Sequence, residues 1–333
     1  MSASPLFSLV IPVYNGGEPF RRCLAALGSS PFRDWELIVV DDGSDDASAS
    51  AARAAGAAVL ETPGRAGPAA ARNLGARAAR GEYLLFLDAD CEVNAATLGE
   101  AARILAAEPE LEALFGSYDD EPAARSFIAQ YKNLQHHYVH QRGRADSSTF
   151  WAGCGAVRRS TFLALGGFDE NRYPRPSIED IELGYRLRRA GARIRLARGV
   201  QVKHHKAWTF RGLLRTDLLD RALPWMELIL RDRDLVNDLN LDARGRWSAF
   251  LAALFPLCLA LALVEPACLL GAAAAAVLLV GLNFDLYRFF ARKRGLAFTG
   301  GAIALHGLYH FYCAGAAGWG FARFLVRRTG GTA

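Results

Sequence analysis

Residues 82–90 read EYLLFLDAD, an apolar run of strand length that stops at two carboxylates. The run lacks the in-out alternation of a half-buried strand, so both of its faces are expected to be covered. The pattern recurs upstream. FSLVIPV at 7–13 stops at Tyr14-Asn15-Gly16-Gly17, ELIVV at 36–40 stops at Asp41-Asp42-Gly43-Ser44, and a shorter run spans Ala57 to Leu60. Helical patterns fill 18–28, 45–55 and 67–80 between them. Buried strands alternating with helices predict an α/β fold of Rossmann-like type, with a mostly parallel central sheet and flanking helices. In such sheets ligands bind beyond the carboxyl ends of the strands. Every acidic cluster of this half falls there.

Downstream, helices are expected over 93–107 and from Ser160, with a polar helix and mobile loop in 119–150. The segment 178–190 predicts a helix with an acidic first turn and a basic last turn, as the macrodipole favours. Short strands are expected at 194–197 and 200–202. The character then changes. Residues 207–246 mix Trp208, Phe210 and Trp225 with Arg and Asp. That mixture suits amphipathic interface helices and a linker, or a surface helix packed on the first domain.

Residues 247–333 form the expected membrane region. Ser248 to Val264 and Ala267 to Phe284 are uncharged runs separated by Glu265-Pro266, each near the minimum length of a transmembrane helix. A hairpin of two is the simplest reading. Leu296 to Val326, with His306 and His310, is a third apolar segment that spans or re-enters. The basic stretch Arg288 to Arg294 is expected on the cytoplasmic side. Arg323, Arg327 and Arg328 would prefer that side too, in tension with three clean spans. The competing reading of 248–326 is a soluble helical domain. The organisation is therefore 1–206, a catalytic domain; 207–246, the interface segment; and 247–333, two to three apolar helices.

The chain of 333 residues is 52% hydrophobic and 22% charged, with a net charge of +5 and a mean hydropathy of +0.09. The mild positive bias fits anionic partners such as nucleotide diphosphates or a membrane surface. Dispersed Arg residues without a recognised motif argue against nucleic acid. The 6 cysteines include no CxxC pair, so neither a disulfide framework nor a zinc site is expected. Reduced thiols place the catalytic portion in the cytoplasm. The N-terminus lacks the basic start of a signal peptide and reads as a first strand.

Asp88 and Asp90 flank one residue at a strand exit, so their side chains project to the same side. Their mutual repulsion would be relieved by a divalent cation, and hard oxygen ligands suit Mg2+ or Mn2+. Glu179-Asp180 opens a helix, where free N–H groups stabilise anions.

Five stretches in order carry a stronger signal: SLVIPVYNGGE (8–18), VVDDGSDD (39–46), GPAAARNLGARAARGEYLLFLDAD (67–90), GGFDE (166–170) and SIEDIELGYRLRRAG (177–191). Together they resemble the family-2 glycosyltransferases of GT-A fold, over about residues 6–210. The resemblance implies an inverting, metal-dependent transfer of one sugar from a nucleotide-diphosphate sugar, UDP-sugar before GDP-sugar. It implies nucleotide-binding roles for Pro12, Tyr14, Asp42, Arg72 and Asp88. Asp90, with Asp88 and His204, would hold the metal, His205 being the adjacent alternative. Asp180 would be the general base. Trp151, Gly153 and Glu179 would border the acceptor. With the apolar C-terminal region, it implies a multi-pass protein of a bacterial inner membrane. Its partners would be membrane lipid and a membrane-associated acceptor, a lipid-linked sugar or envelope glycan.

The chain departs from processive synthases, which carry a QxxRW motif where this one reads Lys203-His204-His205-Lys206-Ala207-Trp208. Single-sugar addition follows. The membrane helices also suggest the polyprenyl-phosphate sugar synthases, but their ionised acceptor needs no base and Asp180 argues for a hydroxyl. An inactive sugar-nucleotide-binding scaffold is countered by intact Asp42, Asp88, Asp90 and Asp180. A nucleotidyltransferase would show a basic residue in Tyr14-Asn15-Gly16-Gly17-Glu18, which has none.

Overall fold

The computed structural model describes residues 4–329. Residues 1–3 and 330–333, the outer ends of the expected domains, lie outside the described residues, as do the side chains of Arg327 and Arg328. The chain divides between Trp208 and Thr209 into two compact units.

The first unit is built on one sheet. Its strands are Phe7–Val13 (β1), Trp35–Asp41 (β2), Ala58–Glu61 (β3), Tyr83–Leu87 (β4), Cys91–Val93 (β5), Leu111–Tyr118 (β6), Cys154–Arg158 (β7) and Arg193–His204 (β8). Their order is β3-β2-β1-β4-β7-β6-β8-β5. The β3-β2-β1-β4 half is parallel throughout, as the apolar runs predict. The other half is mixed: β7 runs antiparallel to both β4 and β6, β5 antiparallel to β8, and β6 parallel to β8. The central sheet is thus less parallel than the sequence suggests. β5, β6 and β7 are strands that the sequence pattern did not announce.

The two short strands expected near 194–197 and 200–202 are one continuous strand. Its register against β6 slips between Phe115 and Ser117. Gly116 sits at that slip, and a Cβ there would lie 2.1 Å from the Val200 carbonyl oxygen.

Helices cover the sheet: Gly17–Ser29 (α1), Ser48–Ala54 (α2), Pro68–Ala78 (α3), Thr97–Ala107 (α4), Phe127–Arg142 (α5), Arg159–Ala164 (α6) and Glu179–Arg189 (α7). Alternate residues of the strands serve opposite faces. Leu85 and Leu87 join Leu9, Ile11, Phe20 and Leu98 in one buried cluster. Phe86 points the other way, its ring centroid 5.3 Å from that of Phe162 and 5.1 Å from that of Phe168. Because β1, β2 and β4 run side by side in one direction, their carboxyl ends emerge together. Tyr14, Asp42 and Asp88 therefore leave the sheet at one edge.

The second unit is helical: Phe210–Arg215 (α8), a π-helical turn Thr216–Ala222, Leu223–Asp232 (α9), a 3-10 turn Leu239–Leu241, Ala243–Leu261 (α10), Cys268–Leu282 (α11) and Phe284–Thr329 (α12). α12 is broken at Gly295, whose φ is 84°. Asp242 caps α10, its carboxylate accepting from the Gly245 N–H at 2.7 Å. α10 and α11 pack on each other, and a hydrogen bond of 2.9 Å from Asn283 Nδ2 to Ser248 Oγ ties their ends. Leu263, Val264, Leu270 and Val277 remain exposed.

Among the described residues, Ala243–Leu261 is long and apolar enough to cross a membrane. Cys268–Leu282 has 15 residues, short for a hydrocarbon core of about 30 Å at about 1.5 Å per residue. It passes the same test only together with Phe284–Phe324, to which it is bent by 64°.

Candidate active site

Two loops at the sheet edge are sewn together by backbone N–H groups and short side chains. Asn15 takes a left-handed conformation, φ 50°. Its N–H donates to Ser44 Oγ at 2.9 Å, and its Oδ1 accepts from the Asp45 N–H at 2.9 Å. Gly16 N–H donates to Ser48 Oγ at 3.0 Å. This leaves Pro12 half-buried and Tyr14 43% exposed beside it. The Arg65 guanidinium lies over the Tyr14 ring, 4.2 Å from its centroid. Such cation–π contacts hold a charged group against an aromatic face.

Asp42 is buried and organises the loop that carries Arg65. Its Oδ1 accepts from Thr62 Oγ1 and from the Ala66 N–H, both at 2.8 Å, and its Oδ2 from the Gly67 N–H at 2.9 Å. A carboxylate offers about four lone-pair sites, so most of its accepting capacity is used within the chain. Gly67 has a φ of 91°, and a Cβ there would lie 2.3 Å from the Pro174 carbonyl oxygen.

Arg72, on α3, reaches two carboxylates from distant segments. Its Nη2 donates to Asp88 Oδ1 at 2.7 Å and its Nη1 to Glu179 Oε1 at 3.0 Å. Burial opposes its charge, but Asp88, Glu179 and Asp180 outweigh that and hold its pKa above the usual range. Both terminal nitrogens thus already serve protein carboxylates. Glu179 is also bound through Oε2 to the Ser177 N–H, at 2.9 Å.

Next along α7, Asp180 keeps part of its surface open. Its Oδ2 accepts from the Ala152 N–H at 3.1 Å and its Oδ1 from the Ile181 N–H at 2.8 Å. Burial, reinforced by the Glu179 charge, pushes its pKa up to about 6 against these bonds and Arg72. A carboxylate with that value is poised to take a proton near neutral pH.

Asp90 stands where β4 ends and β5 begins. His204, on β8 directly opposite Cys91, brings its Nε2 to 3.5 Å from Asp90 Oδ2. Burial raises the Asp90 pKa, but His204 and then the Lys206 charge outweigh it and hold the carboxyl below its ordinary value. The His204 ring stacks on Tyr118, 4.1 Å between centroids and 9° between planes. His205 points elsewhere, its Nε2 2.7 Å from Glu92 Oε2. Strand alternation separates these two neighbours.

Among the described residues, one group of three metal-ligating types comes together: Asp88, Asp90 and Cys91, with ligand atoms all within 4.8 Å of one another. His204 stands beside this group rather than in it. Burial, then the Asp90 and Asp88 charges, push the Cys91 thiol well above its usual pKa, so it offers no thiolate. Two carboxylates as the remaining donors fit a hard divalent cation.

Trp151 packs on Tyr118, His136 and His140, with ring centroids 4.9, 4.9 and 5.5 Å away. It lies over Gly153, where a Cβ would come within 2.4 Å of the indole. The glycine is there for the ring. The Gly153 carbonyl accepts from the Asp88 N–H at 3.1 Å, which links the Trp151 segment to the carboxylate pair.

The structure thus gathers Arg72, Asp88 and Glu179 through direct bonds, and Asp90 with His204. Sequence reasoning missed Arg65, Tyr118 and Lys206. Tyr118 carried a usable signal, since LEALFGSY ends in Tyr118-Asp119-Asp120 as the other strands end in acids.

Residues 8–166 match the family described as glycosyl transferase family 2. The O-antigen biosynthesis protein RfbC of Myxococcus xanthus is 36% identical over 126 residues, which cover 36% of this chain and 10% of that protein. A pre-mycofactocin glycosyltransferase of Mycobacterium tuberculosis is 30% identical over 211 residues, covering 56% of this chain and 40% of that protein. The chain therefore spans less than half the length of either relative. The mannosyltransferase PcManGT of Pyrobaculum calidifontis, solved with GDP-Man and Mn2+, superposes with a TM-score of 0.58 at 19% identity, over 96% of this chain and 88% of that one. This likeness establishes the fold, GT-A.

Proposed function

We propose that this chain, whose residues 8–166 match glycosyl transferase family 2, is a member of that family and moves one sugar from a nucleotide-diphosphate sugar to a hydroxyl of a membrane-associated acceptor, with inversion. One observation carries the reading. A carboxylate pair at the β4 exit, Asp88 and Asp90, is linked through Arg72 to the start of α7, where Asp180 has a pKa of about 6.

Tyr14, with Pro12 beside it, offers a ring face to the nucleobase once Arg65 moves aside. Asp42 holds the wall of that position through its loop and keeps acceptor capacity for a uracil or guanine N–H. Asp88 and Asp90, with His204 orienting Asp90, would hold Mg2+ or Mn2+, which would neutralise charge on the departing diphosphate. Arg72 acts by fixing Asp88 and Glu179. Asp180 takes the proton of the acceptor hydroxyl as its oxygen attacks the anomeric carbon from the face opposite the diphosphate. Trp151 and Gly153 border the acceptor.

The exposed apolar helices α10 and α11 anchor the chain in a membrane. Arg288, Arg292, Lys293 and Arg294 favour the cytoplasmic side; with α10 and α11 as a hairpin, the catalytic unit would share that side, at a bacterial inner membrane. The related GT-A structure holds GDP-Man and Mn2+, and another with a TM-score of 0.50, S. aureus TarS 1-349, holds UDP. Both nucleotides therefore belong in the test.

The protein in native membranes is incubated with UDP- or GDP-sugars and Mn2+, and lipid-linked glycans are weighed by mass spectrometry. A mass increase of one sugar that is lost in Asp180→Asn is expected. No transfer from any donor, or full transfer by Asp180→Asn, refutes the proposal.

A further inference from the structure

A departing diphosphate gathers negative charge at a site already holding Asp88 and Asp90. Arg72 gives one terminal nitrogen to Asp88 and the other to Glu179. Lys206, just past the end of β8, brings another positive charge to bear on Asp90. β8 leaves the sheet there, and the His205 N–H donates to the Asp90 carbonyl at 2.9 Å. That bond fixes the chain beside Asp90, and Lys206 is the next residue. Its Nζ lies 4.2 Å from the centroid of the Trp208 ring, and Trp208 is 8% exposed, a rigid platform. Lys206 itself is exposed. Among the described residues no carboxylate stands within ion-pair distance of it.

We propose that Lys206 is a leaving-group residue: held over Trp208 beside Asp90, its ammonium donates a hydrogen bond to the diphosphate of the bound nucleotide sugar. This rests on the donor-site reading above. During transfer the bond between the anomeric carbon and the diphosphate oxygen breaks, and its electron pair stays on that oxygen. The acceptor oxygen forms the new bond to carbon and its proton passes to Asp180. Lys206 keeps its proton and supplies fixed positive charge where the new negative charge collects. The Trp208 face limits the freedom of a long side chain, so less ordering is needed when the ligand arrives. The chain has no QxxRW motif, and a Lys two residues before a Trp places a cation and a ring together on the same exit from β8.

The test is calorimetric titration of the full-length protein in detergent, with a chelator present so that no metal contributes. The probes are UDP, GDP, ADP, CDP and dTDP, each against its monophosphate. Lys206→Met is expected to weaken the diphosphate that the wild type binds by about tenfold, as loss of one charge-assisted hydrogen bond predicts. The matching monophosphate should be unaffected, and Lys206→Arg should restore most of the loss. Equal diphosphate affinity in Lys206→Met and wild type overturns the inference, as does an equal loss for monophosphate and diphosphate. A wild type that binds none of the five diphosphates, either with the chelator or with Mn2+ in its place, refutes the donor reading itself, and the inference with it.

Discussion

Arg72 Nη1 stands 3.0 Å from Glu179 Oε1 although 107 residues separate the two in the chain, and neither side chain is more than 7% exposed. This pair joins α3 to α7, and through Asp88 it joins both to β4. Removing one partner of a buried ion pair leaves the other charge uncompensated, at about 3–5 kcal/mol. Arg72→Met is expected to lower the unfolding free energy by about that amount, read from the midpoint of a urea titration at pH 7. Arg72→Lys should fall between, since an ammonium lacks the fork that serves two carboxylates at once. An unchanged midpoint in Arg72→Met would show that the pair does not tie these elements together.

Transfer should depend on pH through Asp180. Its pKa is raised to about 6, so the carboxyl keeps its proton up to that pH and cannot accept another. kcat/KM should therefore climb about tenfold per pH unit below 6 and level off above it. Asp180→Asn should lose about 10²–10⁴-fold in kcat and flatten the profile, with nucleotide affinity retained. A polyprenyl-phosphate acceptor, already ionised, would leave Asp180→Asn nearly as active as the wild type.

Asp42→Ala removes three hydrogen bonds from the 62–67 loop. Hydrogen–deuterium exchange in that loop should quicken, and donor affinity should fall by about tenfold or more as Arg65 and Tyr14 lose their fixed relation. Unchanged exchange at Ala66 and Gly67 would show that the loop stands without the carboxylate.

His204 touches Asp90 and stacks on Tyr118, as a group that orients a ligand does. His204→Ala should weaken Mn2+ activation by about 10–100-fold, measured as the metal concentration for half-maximal transfer. Asp90→Ala should abolish metal activation. The reverse ranking, with His204→Ala the more severe, would make the histidine the principal ligand.

The donor half of the site is legible in the sequence because its signal is local. An apolar run that ends in acid marks a strand exit, and this places Asp42, Asp88 and Asp90 without knowledge of the partners. The remainder depends on pairings between distant segments. LEALFGSY and CGAVR are ordinary strands, and nothing in them announces that β7 reverses direction between β4 and β6. The partners of Arg72 come from 16 and 107 residues away. Arg65 meets Tyr14 because Asp42 hangs a loop between them. His204 rather than His205 faces Asp90 through the register of β8 against β5, which the dipeptide alone does not reveal.

Membrane attachment should survive washing. With the exposed Leu263, Val264, Leu270 and Val277 as the proposed anchor, alkaline carbonate and high salt should leave the protein in the membrane pellet while detergent releases it. Release by salt alone would mean a purely electrostatic association.

The bond from the His205 N–H to the Asp90 carbonyl also sets a timetable for synthesis. The carboxylate pair is translated before residue 100, but the strand that flanks it is completed only at His204. A nascent chain must therefore carry a long unfinished sheet while β8 is still in the ribosome, exposed to wrong pairings that local folding does not prevent. The carboxylate pair gains its flanking strand only when β8 docks, and the apolar helices follow that strand in the chain.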